Sequence, residues 1–421
     1  MVDYLKHGWK PERGRPSGDV TATVATMLSD IEVNGLAAIR RYSQDLDGWN
    51  PDSFLVTEQQ KQAAADTVDV DLLQEIDFAR AQVENFARLQ LATMSDLEQE
   101  TLPGVVLGHR HIPVSAVGSY SPGGRYPLIA SSVMTVAVPK VAGVRTVVAA
   151  APPRDNGGIH PPQLYAMASS GADVILCLGG VQALAALAFG IEGLDGMDMI
   201  VGAGNAYVAE AKRQLFGTVG IDLLAGPSEI AVIADETADA HLVAADLLGQ
   251  AEHGPTSPVL LITTDEAFGR RVIGAVEEWL TMWPTAAVAG AAWREYGTVA
   301  VCIDADEVVE VSDRYAPEHL EIQTVDPDWF VSRLRNYGSL FIGAESTVAY
   351  SDKSIGTNHV LPTMQAARYT GGLWVGKFLK TVTYQRLTAE GTKHVAPSTA
   401  AIADAELMAG HALTARIRLE R

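Results

Sequence analysis

Two kinds of hydrophobic spacing divide the chain. Across residues 20–100, TATVATMLSDIEVNGLAAIRRYSQ and LLQEIDFARAQVENFARLQ place apolar residues at i, i+3 and i+4. That spacing lines one face of a helix, so this region is expected to be mainly helical. From about residue 110 short apolar runs alternate with amphipathic stretches. VRTVVAAAPP, ADVILCLGG, DMIVGAG and EIAVIAD predict strands, and PPQLYAMASSG, VQALAALAFG, AYVAEAKRQLFG and AHLVAADLLGQAEH predict the helices between them. A second set follows, with strands at PVLLITT, TVAVCI and SLFIG and helices at EAFGRRVIGAVEEWL and PDWFVSRLRN.

Alternation of this kind predicts parallel strands joined by right-handed crossovers. The expected fold class is α/β, with two doubly wound Rossmann-like lobes. Residues 1–24 are expected to form an N-terminal arm. One lobe is expected to join 25–114 with 236–362 and to carry most site residues, and the other to span 115–235. Beyond 363 the pattern is less regular and ends in the helical segment ADAELMAGHALTARI. There is no fixed-period repeat and no low-complexity tract.

Length and composition fit this picture. A chain of 421 residues exceeds one ordinary core. Asp and Glu outnumber Lys and Arg 51 to 31, a formal charge of −20. A field of that sign repels phosphodiester backbones and anionic lipid, which argues against nucleic-acid and membrane-surface roles. The longest apolar stretch, residues 174–191, approaches spanning length, but Gly179 and Gly180 interrupt it and a strand followed by a buried helix explains it better. The first residues lack the apolar core of a signal peptide, and the two cysteines, Cys177 and Cys302, lie far apart in apolar runs. A reduced cytoplasmic protein is the expectation.

The polar residues that could do chemistry are equivocal one at a time. In DLLGQAEHGP, Gln250 and His253 are three apart and could present an amide oxygen and an imidazole to one metal ion. Spacing alone favours a plainer helix end whose histidine caps carbonyls. In RYAPEHLEI, Pro317 suits a first helical turn, and Glu318 beside His319 could divide acid and base duties. For the dipeptide taken alone, a solvated turn is the better explanation. In YSDKSIGTNHVLPT, Asp352 and His359 flank a Gly-Thr loop, where Asn358 and the glycine also suit a simple turn. His411 lies five residues after Glu406 on the last helix, where spacing alone favours an exposed residue. GAGNAY follows a strand and opens a helix but lacks the third glycine of the dinucleotide fingerprint, and Asp222 is weak support for a ribose-binding acid. Neither cysteine has a basic neighbour, so neither looks like a nucleophile.

In order, however, SYSPGG, GGVQALAALAFG, AGNAYVAEAKRQLFGTVGIDLLAGPSEIAVIAD, AADLLGQAEHGP, YAPEHLEI, GTNHVLPT and AELMAGHA resemble histidinol dehydrogenases over nearly the whole chain. The resemblance implies a homodimer with one zinc ion in each shared active site. It places zinc ligands on Gln250, His253 and Asp352, with His411 supplied by the other subunit. It implies acid/base roles for Glu318 and His319, substrate contacts at Ser228, His359 and Glu406, and NAD contacts at Tyr120, Gln182 and Asn205 in the 115–235 lobe. The implied reaction is a four-electron oxidation of a primary alcohol to a carboxylate with two NAD molecules. His319 would take the alcohol proton, and Glu318 would activate the water that adds to the aldehyde.

Several positions depart from the biosynthetic pattern. Lys353 stands where an aromatic is usual and Lys377 where an acid is typical, Arg125 and Tyr126 replace small residues, and Lys393–His394 is added. Cationic side chains near the site would favour an anionic substrate end, with Lys353 the foremost candidate. The segment GGLWVGKFLKTVTYQ is similar to the branch of the family that oxidises (R)-2,3-dihydroxypropane-1-sulfonate to 3-sulfolactate. That reaction is expected first and histidinol oxidation second.

Overall fold

The computed structural model describes residues 2–8, 18–124, 126–154 and 157–420. Arg125 lies outside them. The strands are β1 (Asp3–Lys6), β2 (Leu97–Leu102), β3 (Val105–Pro113), β4 (Ala116–Tyr120), β5 (Thr146–Ala151), β6 (Val174–Cys177), β7 (Met199–Val201), β8 (Gly220–Ile221), β9 (Ile230–Ala234), β10 (Val259–Thr263), β11 (Gly297–Val301), β12 (His319–Gln323), β13 (Ser339–Ile342) and β14 (Leu379–Leu387).

They form three sheets. One is five-stranded in the order β6-β5-β4-β7-β8, all parallel. The second is six-stranded, β1-β11-β10-β9-β12-β13, parallel except for the edge strand β1. The third joins β14, β3 and β2 antiparallel. The two parallel sheets bear out the α/β expectation.

Both parallel sheets are buried on both faces, which is why their strands read as unbroken apolar runs. On β5, Val147, Ala149 and Ala151 enter one core while Val148 and Ala150 enter the other. On β9, Ile230 and Val232 face one side, and Ala231 and Ile233 the opposite one.

The division of the chain differs from the sequence expectation. The helix Gly18–Asp47 packs on helices Gly180–Phe189 and Ala206–Leu215, and the helix Val70–Ala92 packs on Ile129–Ala142. Residues 18–92 therefore cover the five-stranded sheet instead of joining 236–362. Their apolar stripes pack on those helices, Val24, Leu28 and Ile31 joining one core and Ile76, Val83 and Ala87 the other. β9 belongs to the six-stranded sheet, although it falls within 115–235, and β1 is an edge strand of that sheet, not part of an arm. The tail is more regular than expected. It supplies β14 to the third sheet and ends in a hairpin of helices Ala389–Ala405 and Ala409–Leu419, whose contact is built on Ala396, Ala400, Ala403, Ala412 and Ala415.

Candidate active site

A cavity of about 860 Å³ opens between the two parallel sheets. Tyr120, Pro152 and Ala203 line it from the C-terminal ends of β4, β5 and β7, while Ser228, Glu318 and His319 line it from the N-terminal ends of β9 and β12. His253, Asp352 and His359 complete the second wall.

The Pro317 region is not a helix start. The helix Ala305–Tyr315 ends at Ala316, which has φ +50°, and β12 begins at His319. HLEIQ is wholly buried between β9 and β13, so strand pairing overrides the helix-start preference of proline. Glu318 and His319 are thereby placed on a sheet edge that faces the cavity.

Each of the pair is held by hydrogen bonds. Glu318 Oε2 accepts from Ser228 Oγ at 2.7 Å and from the Glu229 amide at 2.9 Å, while Gln250 Nε2 donates to Ser228 Oγ. Burial pushes the Glu318 carboxyl well above the ordinary range; those two bonds oppose the rise, and the nearby Glu229 and Asp352 add to it. His319 Nδ1 lies 2.9 Å from the Glu229 carbonyl, which can only accept. The proton therefore sits on Nδ1, and Nε2 is an unprotonated base. Nε2 is buried without a hydrogen-bond partner, and its nearest carboxylate oxygen, Asp352 Oδ1, is 3.9 Å away. Burial also lowers the affinity of this ring for a second proton.

The histidine of DLLGQAEHGP does not cap carbonyls. The helix Ala240–Ala251 ends before it, and His253 Nε2 faces Asp352 Oδ2 at 3.4 Å. Burial opposes charge on Asp352, but hydrogen bonding to His253 and the surrounding imidazoles hold its carboxyl well below the usual range. Tetrahedral zinc with bonds of about 2.0–2.1 Å sets neighbouring donors about 3.3 Å apart, so the His253–Asp352 separation fits two ligands of one ion. Among the described residues no three His, Cys, Asp or Glu side chains gather into a metal-sized group. A complete site would need an amide such as that of Gln250 and a donor from outside this wall.

His359 is engaged at both nitrogens, Nδ1 with the Asp352 carbonyl at 3.0 Å and Nε2 with Ser131 Oγ at 2.6 Å. Ser228, expected to touch substrate, lines the cavity but spends its hydroxyl on Glu318.

At the other end, Tyr120 OH accepts from the Gly180 amide at 3.1 Å, and Asn205 caps the helix Ala206–Leu215. Both line the cavity. Gln182 does not; it is buried and donates to Asp47 Oδ2 at 2.8 Å, so Asp47 is the wall residue there. Asp222 is not available to a ribose. It is buried against Lys212 Nζ and accepts from the Gly202 amide at 2.8 Å, which fixes the glycine turn from behind.

Other expected residues are not brought into the cavity by one chain. Lys353 is exposed at the end of the helix Val348–Lys353, and Lys377 donates to Thr370 Oγ1. Glu406, His411, Lys393 and His394 are exposed on the terminal helical hairpin. Among the described residues Arg213 is the one Lys or Arg of the lining, and it pairs with Glu210. Tyr126 lines the cavity. Sequence spacing missed Asp47, Ser131 and Glu229. Glu229 alone had a signal, its adjacency to Ser228.

Fold and site define an α/β protein with a buried carboxyl and an imidazole at the wall of a cleft between two parallel sheets. The family model for histidinol dehydrogenase matches residues 11–419. The chain is 47% identical to a histidinol dehydrogenase homolog of Shouchella clausii, over 100% of this chain and 99% of that protein. It is also 47% identical to the sulfopropanediol 3-dehydrogenase of Ruegeria pomeroyi, over 100% and 97%. The crystal structure of histidinol dehydrogenase from Elizabethkingia anophelis superposes with a TM-score of 0.92 at 33% identity, covering 97% of this chain and 94% of that one. The chain belongs to the histidinol dehydrogenase family, whose members are dehydrogenases acting on CH–OH donors.

Proposed function

We propose that this protein oxidises a primary alcohol to a carboxylate in two NAD-linked steps at a zinc-bearing site. The observation that carries the proposal is His319 Nε2, a buried base left without a partner at the cavity wall. Gln250, His253 and Asp352 would hold the metal, with His411 of the partner subunit closing the set. Tyr120, Gln182 through Asp47, and Asn205 would bind the dinucleotide. When bound, the metal supplies a Lewis acid that orients the alcohol oxygen and the nicotinamide supplies the hydride acceptor.

The residues of the chain do the proton work. His319 Nε2 takes the hydroxyl proton in the first oxidation, and the Nδ1–H bond to Glu229 steadies the resulting imidazolium. Glu318, whose buried carboxyl accepts a proton readily, draws one from the water that adds to the aldehyde. Once it has released that first proton to solvent, His319 takes the hydrate's proton in the second oxidation. Overall, the alcohol, one water and two NAD+ give the carboxylate, two NADH and three protons.

A homodimer accounts for the exposed tail. Its hairpin shows Ile402, Leu407, Leu413 and Ile417 to solvent, a set that a second chain would cover. In that arrangement His411 and Glu406 of the partner subunit reach this cavity. The charge pattern and the absence of a membrane-length apolar helix among the described residues suit an enzyme of the cytoplasm.

Similarity to the Ruegeria pomeroyi enzyme supports (R)-2,3-dihydroxypropane-1-sulfonate as the substrate, oxidised to 3-sulfolactate in organosulfonate catabolism. Lys353, exposed beside Asp352 and outside the cavity lining, would have to reach inward to meet the sulfonate. A specific observation favours histidinol as the second reading: with Glu210 paired to Arg213, Asp47 and Asp352 line the wall with no further Lys or Arg in the lining among the described residues, a field suited to a cation. Following NADH formation with each alcohol decides the matter. Sulfonate turnover is expected to exceed histidinol turnover by at least tenfold, roughly 1.4 kcal/mol of discrimination; turnover of histidinol alone overturns the preference.

A further inference from the structure

Three elements bring the inner wall together: the helix Ala240–Ala251, which carries Gln250 and leads to His253; strand β12, which carries His319; and the helix Val348–Lys353, which carries Asp352. Nothing in the proton chemistry above uses the polar cluster beneath them. Asp246 lies one turn before Gln250 on the same helix face, and Glu321 lies two residues after His319 on the same strand face. Thr347 caps the short helix by accepting from the Ala349 amide.

These residues tie all three elements together. Asp246 Oδ1 accepts from Thr347 Oγ1 at 2.8 Å, and its Oδ2 accepts from Gln323 Nε2 at 3.1 Å. The same Gln323 amide lies 3.3 Å from Glu321 Oε2, while Glu321 Oε1 accepts from the Val348 amide at 3.2 Å. Glu321 is 1% exposed. Burial and the neighbouring negative charge disfavour ionisation of both carboxyls at once. The more enclosed Glu321 is the protonated member, its carboxyl pushed up by burial and by Asp246, and its hydroxyl donates to the Asp246 carboxylate.

We propose that Asp246 and Glu321 form a carboxyl–carboxylate clamp that sets the separation of the Gln250/His253 and Asp352 ligand groups. Both are positioning residues, and the proposal rests on the zinc-site reading. The clamp has a polarity. Each carboxyl accepts two other bonds, so the polarity comes from enclosure. Glu321 is 1% exposed and Asp246 is only half-buried, so charge costs more on Glu321, which therefore donates while Asp246 accepts.

The polarity makes the test sharp. Glu321→Gln keeps a donor toward Asp246, whereas Asp246→Asn turns an amide N–H₂ toward groups that themselves donate. Zinc is titrated into chelator-stripped full-length protein against a chromophoric competitor, with circular dichroism as the check of folding. Asp246→Asn is expected to weaken zinc binding roughly 10- to 100-fold, as loss of ligand-orienting partners does. Glu321→Gln is expected to stay within about threefold of wild type, and Glu321→Ala to fall with Asp246→Asn. Equal losses for Glu321→Gln and Asp246→Asn, or wild-type affinity in Asp246→Asn, overturn the clamp while leaving the zinc site standing. A wild-type protein that takes up no zinc, or a His253→Ala variant that takes up as much, brings down the metal reading and the clamp together.

Discussion

The two parallel sheets face the cavity with opposite ends of their strands, and they build their walls from different material. The five-stranded sheet presents C-terminal ends, where Gly123, Gly180 and Gly204 line the opening and Gly202 shapes the turn behind it. The six-stranded sheet presents N-terminal ends, where Glu318 and His319 project side chains held by neighbours far away in sequence. One wall is shaped by what glycine leaves out, and the other by what polar side chains add. Damage to the first should therefore disturb binding and stability, and damage to the second should disturb chemistry.

The largest expected effect breaks the second wall. His319→Gln keeps a polar side chain on β12 but removes the ring base. The rate constant kcat is expected to fall about 10²- to 10⁴-fold, the range of a general base. Affinity for NAD should stay within about threefold of wild type, since the cofactor end is built by the other sheet. Steady-state kinetics and NAD titration by fluorescence check both. A kcat within fivefold of wild type in a folded variant would remove His319 from the base role.

The next effect falls on the first wall. Gly202 has φ +117°, and a Cβ there would stand 1.9 Å from the Tyr120 carbonyl oxygen. Gly202→Ala is strained in backbone and contact alike, and should cost about 1–3 kcal/mol or more, a fall in Tm of several degrees. The NAD KM should rise with it, because Tyr120 and Asn205 flank the displaced turn. Gly124→Ala, which meets nothing within 4 Å, is the matched control. Equal Tm and KM values for the two variants would show that the turn has no such constraint.

The same contrast explains how much could be read from the chain. Strands such as β5, β6, β9 and β10 are buried on both faces, so their apolar runs announced them. β12 was hidden because HLEIQ mixes Glu321 and Gln323, the clamp residues, into an otherwise apolar strand. The edge strand β1 and the antiparallel β14 carry polar, half-exposed positions and gave no run to find. Asp222 had a plausible spacing, but no local pattern shows that Lys212 would claim it. Asp47 ends a long helix like any surface acid, and only the packing of that helix on Gly180–Phe189 brings it to the cavity. Site residues whose partners lie 90 positions away, as Ser228 and Glu318 do, leave no spacing to read. Resemblance to a family could find them because it compares whole blocks.

The smallest effect is expected where the lobes are alike. Each parallel sheet contributes one cysteine to a core face, Cys177 on β6 and Cys302 just beyond β11. Burial pushes both thiols up to about 12, with Asp47 adding to the rise at Cys177 and Glu307 at Cys302. At pH 8 the thiolate fraction is then about one in 10⁴, too small for a nucleophile. Iodoacetamide at that pH should label neither cysteine in the folded protein, while both react after denaturation. The double replacement Cys177→Ala with Cys302→Ala should keep kcat within about twofold, with any cost appearing in Tm. Raising the pH should increase labelling of native protein only as unfolding begins, since thiolate is disfavoured in the fold and not in the unfolded chain. A more than tenfold loss of kcat at unchanged Tm would instead make one thiol part of the aldehyde step, and the water addition assigned to Glu318 would have to be given up.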